Sequence, residues 1–140
     1  MRTVRSILAV ALLAACAPAF ATVNVFACLP EWAALANELG GSKVSVYQAS
    51  TALQDPHRIE ARPSLVARMR SADLAICTGA ELEIGWLPVL QQTAGNPRVQ
   101  MGQPGFIAAA ELVDRLEIPT RLDRAEGDIH PQGNPHVQLD

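Results

Sequence analysis

The sequence predicts an α/β fold, a parallel sheet with helices on both faces, and three observations predict it. Short apolar runs alternate with segments of helical periodicity. Proline opens the first two helical segments and a glycine pair closes the first of them. Hydrophobic residues make up 49% of the 140, with few low-complexity stretches, which is the composition of a packed domain.

Taken in order, Val23 to Ala27 reads as a buried strand, and Pro30 starts a helix with an apolar stripe of Trp32, Leu35 and Leu39. Gly40-Gly41 ends it, because glycine takes the left-handed cap conformation without steric cost; no GxGxxG follows, so the pair is not a phosphate loop. Val44 to Tyr47 is a second strand. Pro63-Ser64 opens a short helix carrying Leu65, Val66 and Met69, and Leu74 to Cys77 forms a third strand. A helix over Ile84 to Ala94 presents Trp86, Leu87 and Leu90, and Phe106 to Leu116 reads as a further helix. Beyond it, Pro119, Gly127, Pro131, Gly133 and Pro135 mark an irregular stretch. The stop at Asp140, directly after a motif, suggests a truncated chain.

The first 21 residues read as a secretory signal: Arg2 and Arg5, an apolar run from Ile7 to Ala15, then Ala19-Phe20-Ala21 with cleavage after Ala21. The run is short for a bilayer span. Leu13-Ala14-Ala15-Cys16 offers a competing cut, resembling the lipobox at which a bacterial lipoprotein cysteine is lipidated. Export fits the remaining cysteines, since Cys28 and Cys77 form an even pair at the ends of two strands. They are either a disulfide or two buried thiols, and neither belongs to a CxxC.

Net charge is −3, or −5 without the leader's Arg2 and Arg5, a poor match to a nucleic-acid backbone. Arg62, Arg68 and Arg70 read as the solvated face of a short helix, with no interleaved aromatics for base stacking.

The chemistry concentrates in two tripeptides, Asp55-Pro56-His57 and Asn134-Pro135-His136. A neutral imidazole is the commonest ligand for zinc-like metals. Proline locks its own φ and pushes the preceding residue into an extended conformation, which sets each histidine on a stiff stalk. The plain alternative is a pair of ordinary Asx-Pro turns, each followed by a surface histidine. His57 follows the second strand, at the sheet end where α/β proteins bind ligands.

The run from Leu53 to Ser64, the segment from Ala72 to Leu74 leading to Gly79 and Trp86, and Gly133 to Asp140 together resemble the zinc and manganese solute-binding proteins of bacterial ABC transporters. That resemblance implies two α/β lobes joined by a long helix, of which residues 22–140 would be the first. It implies one metal ion in the cleft, zinc before manganese, held by His57, His136 and two groups from the second lobe, and passed in the periplasm to a membrane permease. The protein would be a monomer and not an enzyme.

Some residues depart from the pattern or sit near it. The segment from Gly127 to Gly133 holds a single histidine, His130, where zinc-specific members often carry a histidine-rich loop; it is either a remnant metal-gathering site or a solvated loop residue, and the latter is the expectation. Gln138 stands where many relatives have tryptophan, Glu60 is expected to steady the His57 loop, and Glu81 and Glu83 to be solvent-facing or helix-start carboxylates. Two other readings stand beside capture. One is a secreted zinc hydrolase, which lacks an HExxH or GxSxG motif, and the other a lipid-anchored adhesion or scaffold module.

Overall fold

The computed structural model describes residues 21–123, 125, 127 and 129–139. The expected leader up to position 20, with Cys16, lies outside them. Four strands, β1 (Val23–Ala27), β2 (Val44–Gln48), β3 (Leu74–Cys77) and β4 (Phe106–Ala108), alternate with helices α1 (Pro30–Gly40), α2 (Pro63–Arg70) and α3 (Leu87–Ala94). All pairings are parallel and the order is β2-β1-β3-β4. No helix among the described residues is long and apolar enough to cross a membrane.

This order places the ligand end of the sheet. The chain steps from β1 to one side for β2, then back across β1 to β3 and onward to β4. Right-handed crossovers therefore put α1 on one face and α2 and α3 on the other, where the Arg70 Nε donates to the Ala94 carbonyl at 3.1 Å and ties α2 to the end of α3. The reversal at β1 opens a crevice beyond the carboxyl ends of β1 and β3. Phe26, Leu65, Met69, Leu82 and Leu90 are fully buried between the layers.

Three local expectations are corrected. Phe106 to Leu116 is not a helix: Phe106, Ile107 and Ala108 pair with Ala75, Ile76 and Cys77 and extend the sheet, and a 3-10 turn at Ala109–Glu111 ends the run. The open edge of β3 outweighed a weak helical pattern. The helix expected from Ile84 begins at Leu87, because residues up to Trp86 form tight turns. On α1 the buried positions are Ala33 and Ala36, while Leu35 and Leu39 are exposed and Trp32 is partly buried. Small residues let the helix approach the sheet closely. Gly40 serves the same approach, since a Cβ there would meet the Val44 side chain, and the positive φ falls on Gly41 (51°).

At the crevice Cys28 and Cys77 form a disulfide with Cα atoms 4.8 Å apart, joining the ends of β1 and β3. By constraining the unfolded chain over 49 positions it contributes about 4 kcal/mol. The neighbouring turn is organised by Glu83, which is buried, contrary to the solvent-facing expectation. Its carboxylate accepts from the backbone N–H of Thr78 (2.8 Å) and Gly79 (3.0 Å). Those donors hold a segment in which Gly79, Ala80 and Glu81 all have positive φ.

Burial pushes the Glu83 carboxyl above its ordinary value of 4.5, with the two backbone donors opposing the shift. The folded state thus holds this proton more tightly than the unfolded chain, so the group's contribution is fully present below 4.5 and is lost as pH rises through the raised folded value. Urea unfolding of wild type and Glu83→Gln across that window should show wild type losing stability relative to the variant as pH rises. Parallel curves would remove Glu83 as a source of pH dependence.

Candidate metal centre

The loop between β2 and α2 carries Asp55-Pro56-His57 and is built to hold one side chain. Asp55 Oδ1 accepts from both the His57 backbone N–H (3.0 Å) and His57 Nδ1 (2.8 Å). These hydrogen bonds hold the Asp55 carboxyl below its ordinary 3.8, so it is an ionised acceptor and His57 Nδ1 must carry the proton. The other ring nitrogen, Nε2, is left with its lone pair. Two groups fix the loop from beneath: the Trp86 indole N–H donates to the Pro56 carbonyl at 2.8 Å, and Gly85 passes so near that a Cβ would sit 2.6 Å from the His57 carbonyl oxygen. Trp86 and Ile59 are buried, which anchors the loop while the His57 side chain stays partly exposed.

Asn134-Pro135-His136 repeats the device. Asn134 Oδ1 accepts from the His136 backbone N–H (3.0 Å) and from His136 Nδ1 (2.9 Å), and its Nδ2 donates to Glu117 Oε2 at 2.9 Å. The Glu117 contact aims the amide so that its oxygen faces the ring, again leaving Nε2 as the lone-pair nitrogen. Pro135 is fully buried and the Asn134 N–H donates to the Leu116 carbonyl at 2.9 Å. Gly133, at φ 98°, is required there, because a Cβ would lie 2.8 Å from the Leu116 oxygen.

His57 and His136, separated by 79 positions in sequence, line one open cavity of about 380 Å³ together with Glu117, Ile129, His130, Gly133, Asn134 and Pro135. His130 is the residue the sequence reading undervalued. Its Nε2 lies 3.1 Å from His57 Nε2, with the ring planes 22° apart. A lone histidine in an irregular loop gives no sequence signal for that approach. Among the described residues, Cys28, Cys77 and Glu83 bring possible ligand atoms within 4.8 Å of one another, but the two sulfurs are joined as the disulfide. The arrangement at the histidine cavity is an open set of oriented imidazoles.

The other residues singled out in sequence fall elsewhere. Glu60 is exposed, and its backbone carbonyl accepts from the Arg62 N–H. Glu81 lines two neighbouring hollows and is not among the residues lining the histidine cavity. Gln138 Nε2 reaches Glu31 Oε1 at 3.4 Å while its buried Oε1 has no hydrogen-bond partner among the described residues. The arginines of α2 serve packing, Arg68 lying 5.1 Å over the Tyr47 ring and Arg70 bonding to the end of α3.

Residues 25–140 match the family described as ZnuA, zinc-uptake complex component A periplasmic. No curated protein matches the chain.

Because Asp55 and Asn134 set the tautomer of the histidine two residues on, each would act on a metal bound by that histidine without touching it. Asp55→Ala and Asn134→Ala should each lower zinc affinity by about 10- to 100-fold, the usual effect of removing a group that orients a ligand. Titration calorimetry on both variants, with circular dichroism to confirm folding, checks this; unchanged affinity in folded variants would contradict it.

Proposed function

The chain belongs to the family of periplasmic zinc-uptake complex component A proteins, and on that premise we propose that it captures a divalent transition metal, zinc first, and passes it to the permease of an ABC transporter. The observation that carries the proposal is the repeated lock: two histidines, each with Nδ1–H committed to an Asx oxygen, present Nε2 around a single cavity. Nitrogen donors of this kind suit zinc, whereas manganese and magnesium favour oxygen. His57 and His136 are the ligands in this reading, and the ion is cargo.

The role of residues 22–140 is that of a first lobe, with the remaining ligands supplied by a second. An open cavity suits that role, since an ion held on one side can be enclosed when another lobe closes over it and released when it opens. Residues 1–21 are an export signal cut after Ala21, and the protein acts as a monomer in the periplasm. The disulfide between Cys28 and Cys77 agrees with an oxidising compartment.

Calorimetric titration with zinc and with manganese tests the proposal. Zinc should bind one to one and more tightly than manganese, and His57→Ala and His136→Ala should each weaken zinc by on the order of 100-fold, at least the effect of losing an orienting group. Zinc binding unchanged in both variants would end the assignment of these residues.

A further inference from the structure

We infer that Cys28, Cys77 and Glu83 form a second metal site, closed while the two sulfurs are bonded to each other and opened by a dithiol reductant. The site goes beyond the capture reading and uses none of its residues. Its basis is a set of donors already gathered in one place. The two sulfurs and a Glu83 carboxylate oxygen all lie within 4.8 Å of one another, and all three residues are buried. A tetrahedral zinc ion with bonds of about 2.3 Å to sulfur and about 2.0–2.2 Å to oxygen holds two sulfurs about 3.8 Å apart, and a sulfur and an oxygen about 3.5–3.7 Å apart. Donors gathered this closely reach such an ion by side-chain rotation, the sulfurs parting once the bond between them is cut. Thiolate donors suit zinc and other soft-accepting metals.

The backbone keeps the cysteines side by side without the disulfide. Ala27 pairs with Ile76 in the parallel ladder, the Cys28 N–H donates to the Ile76 carbonyl at 2.8 Å, and the two cysteine Cα atoms are 4.8 Å apart. Glu83 is held beside them by the N–H groups of Thr78 and Gly79, one on each carboxylate oxygen. An ionised carboxylate offers about four lone-pair sites, so each oxygen keeps one for a metal. Entry is from a hollow of about 150 Å³ that Glu83 lines, with Glu81 and Glu111 also on its wall. Their negative charge draws cations toward it. The chemistry balances in both directions. A dithiol reductant supplies two electrons and two protons and closes to its own disulfide, while the Cys28–Cys77 bond breaks to two thiols. The ion then displaces the thiol protons and any proton on Glu83, taking two thiolates and the carboxylate as ligands and leaving a fourth position for water. A disulfide oxidant takes the two electrons back, the S–S bond reforms and the ion leaves.

The test uses zinc and cobalt(II) as probes on the whole chain carrying His57→Ala and His136→Ala, which removes the histidines assigned to capture. The chain is reduced with a dithiol, which is then removed without air, and circular dichroism follows the fold throughout. The reduced chain should bind one more zinc ion than the oxidised chain, and zinc-edge X-ray absorption should count two sulfur neighbours. Cobalt(II) should give sulfur-to-metal charge-transfer absorption, and a disulfide oxidant should release the ion. Glu83→Gln should weaken the reduced site by on the order of 100-fold, at least the effect of losing a group that orients a ligand. A folded reduced chain that takes up no further ion would overturn the proposal. So would a reduced chain that unfolds and is not refolded by zinc, or zinc affinity unchanged in Glu83→Gln. Zinc binding by the oxidised wild-type chain tests capture separately, so either reading can fail without the other.

Discussion

The structure of the site depends on one hydrogen bond made twice, from a histidine Nδ1–H to the side-chain oxygen of the residue two before it. Without that bond an imidazole on a loop samples two tautomers and several ring orientations. With it, the ring is held and the lone pair is committed to Nε2. Proline between the two residues makes the bond possible at low entropic cost, because it restricts both its own φ and the conformation of the Asx residue before it. The two versions differ in charge: an ionised Asp55 strengthens the bond to His57, whereas neutral Asn134 needs Glu117 to aim it.

The scaffold supports this lock through a short chain of contacts. The disulfide joins the carboxyl ends of β1 and β3, and the turn after β3 is held by the buried Glu83 carboxylate. That turn leads to Gly85 and Trp86, which grip the backbone of Pro56 and His57. The Trp32 indole N–H donates to Thr78 Oγ1 at 2.9 Å, so α1 is fastened to the same turn. The His57 loop therefore rests on rigid elements at the crevice that the reversal of strand order creates. Glu83 is the least expected part of this support: a buried carboxylate retained because it satisfies two backbone donors in a strained segment.

Much of this could be read from the chain itself. The first three strands and the first two helices follow from apolar runs bounded by Pro30, Gly40-Gly41 and Pro63, where local preference and tertiary packing agree. Strand β4 could not be read, because three residues after Pro104-Gly105 become a strand only when β3 offers them an edge. The exposed Leu35 and Leu39 misled for a related reason: α1 seats its alanines on the sheet, and hydrophobic residues on a surface are common. At the site, the two Pro-His motifs were visible as local patterns. His130 was not, since its position against His57 comes from the path of a loop 73 positions away.

The central claim is that His57 offers its Nε2 lone pair to the captured ion from a ring fixed by Asp55. Crystals grown with zinc, with anomalous diffraction collected at the zinc edge, test it directly. The account predicts an ion about 2.0–2.1 Å from His57 Nε2, with Nδ1 still hydrogen-bonded to Asp55. An ion bound through Nδ1, or placed away from His57 altogether, would contradict it.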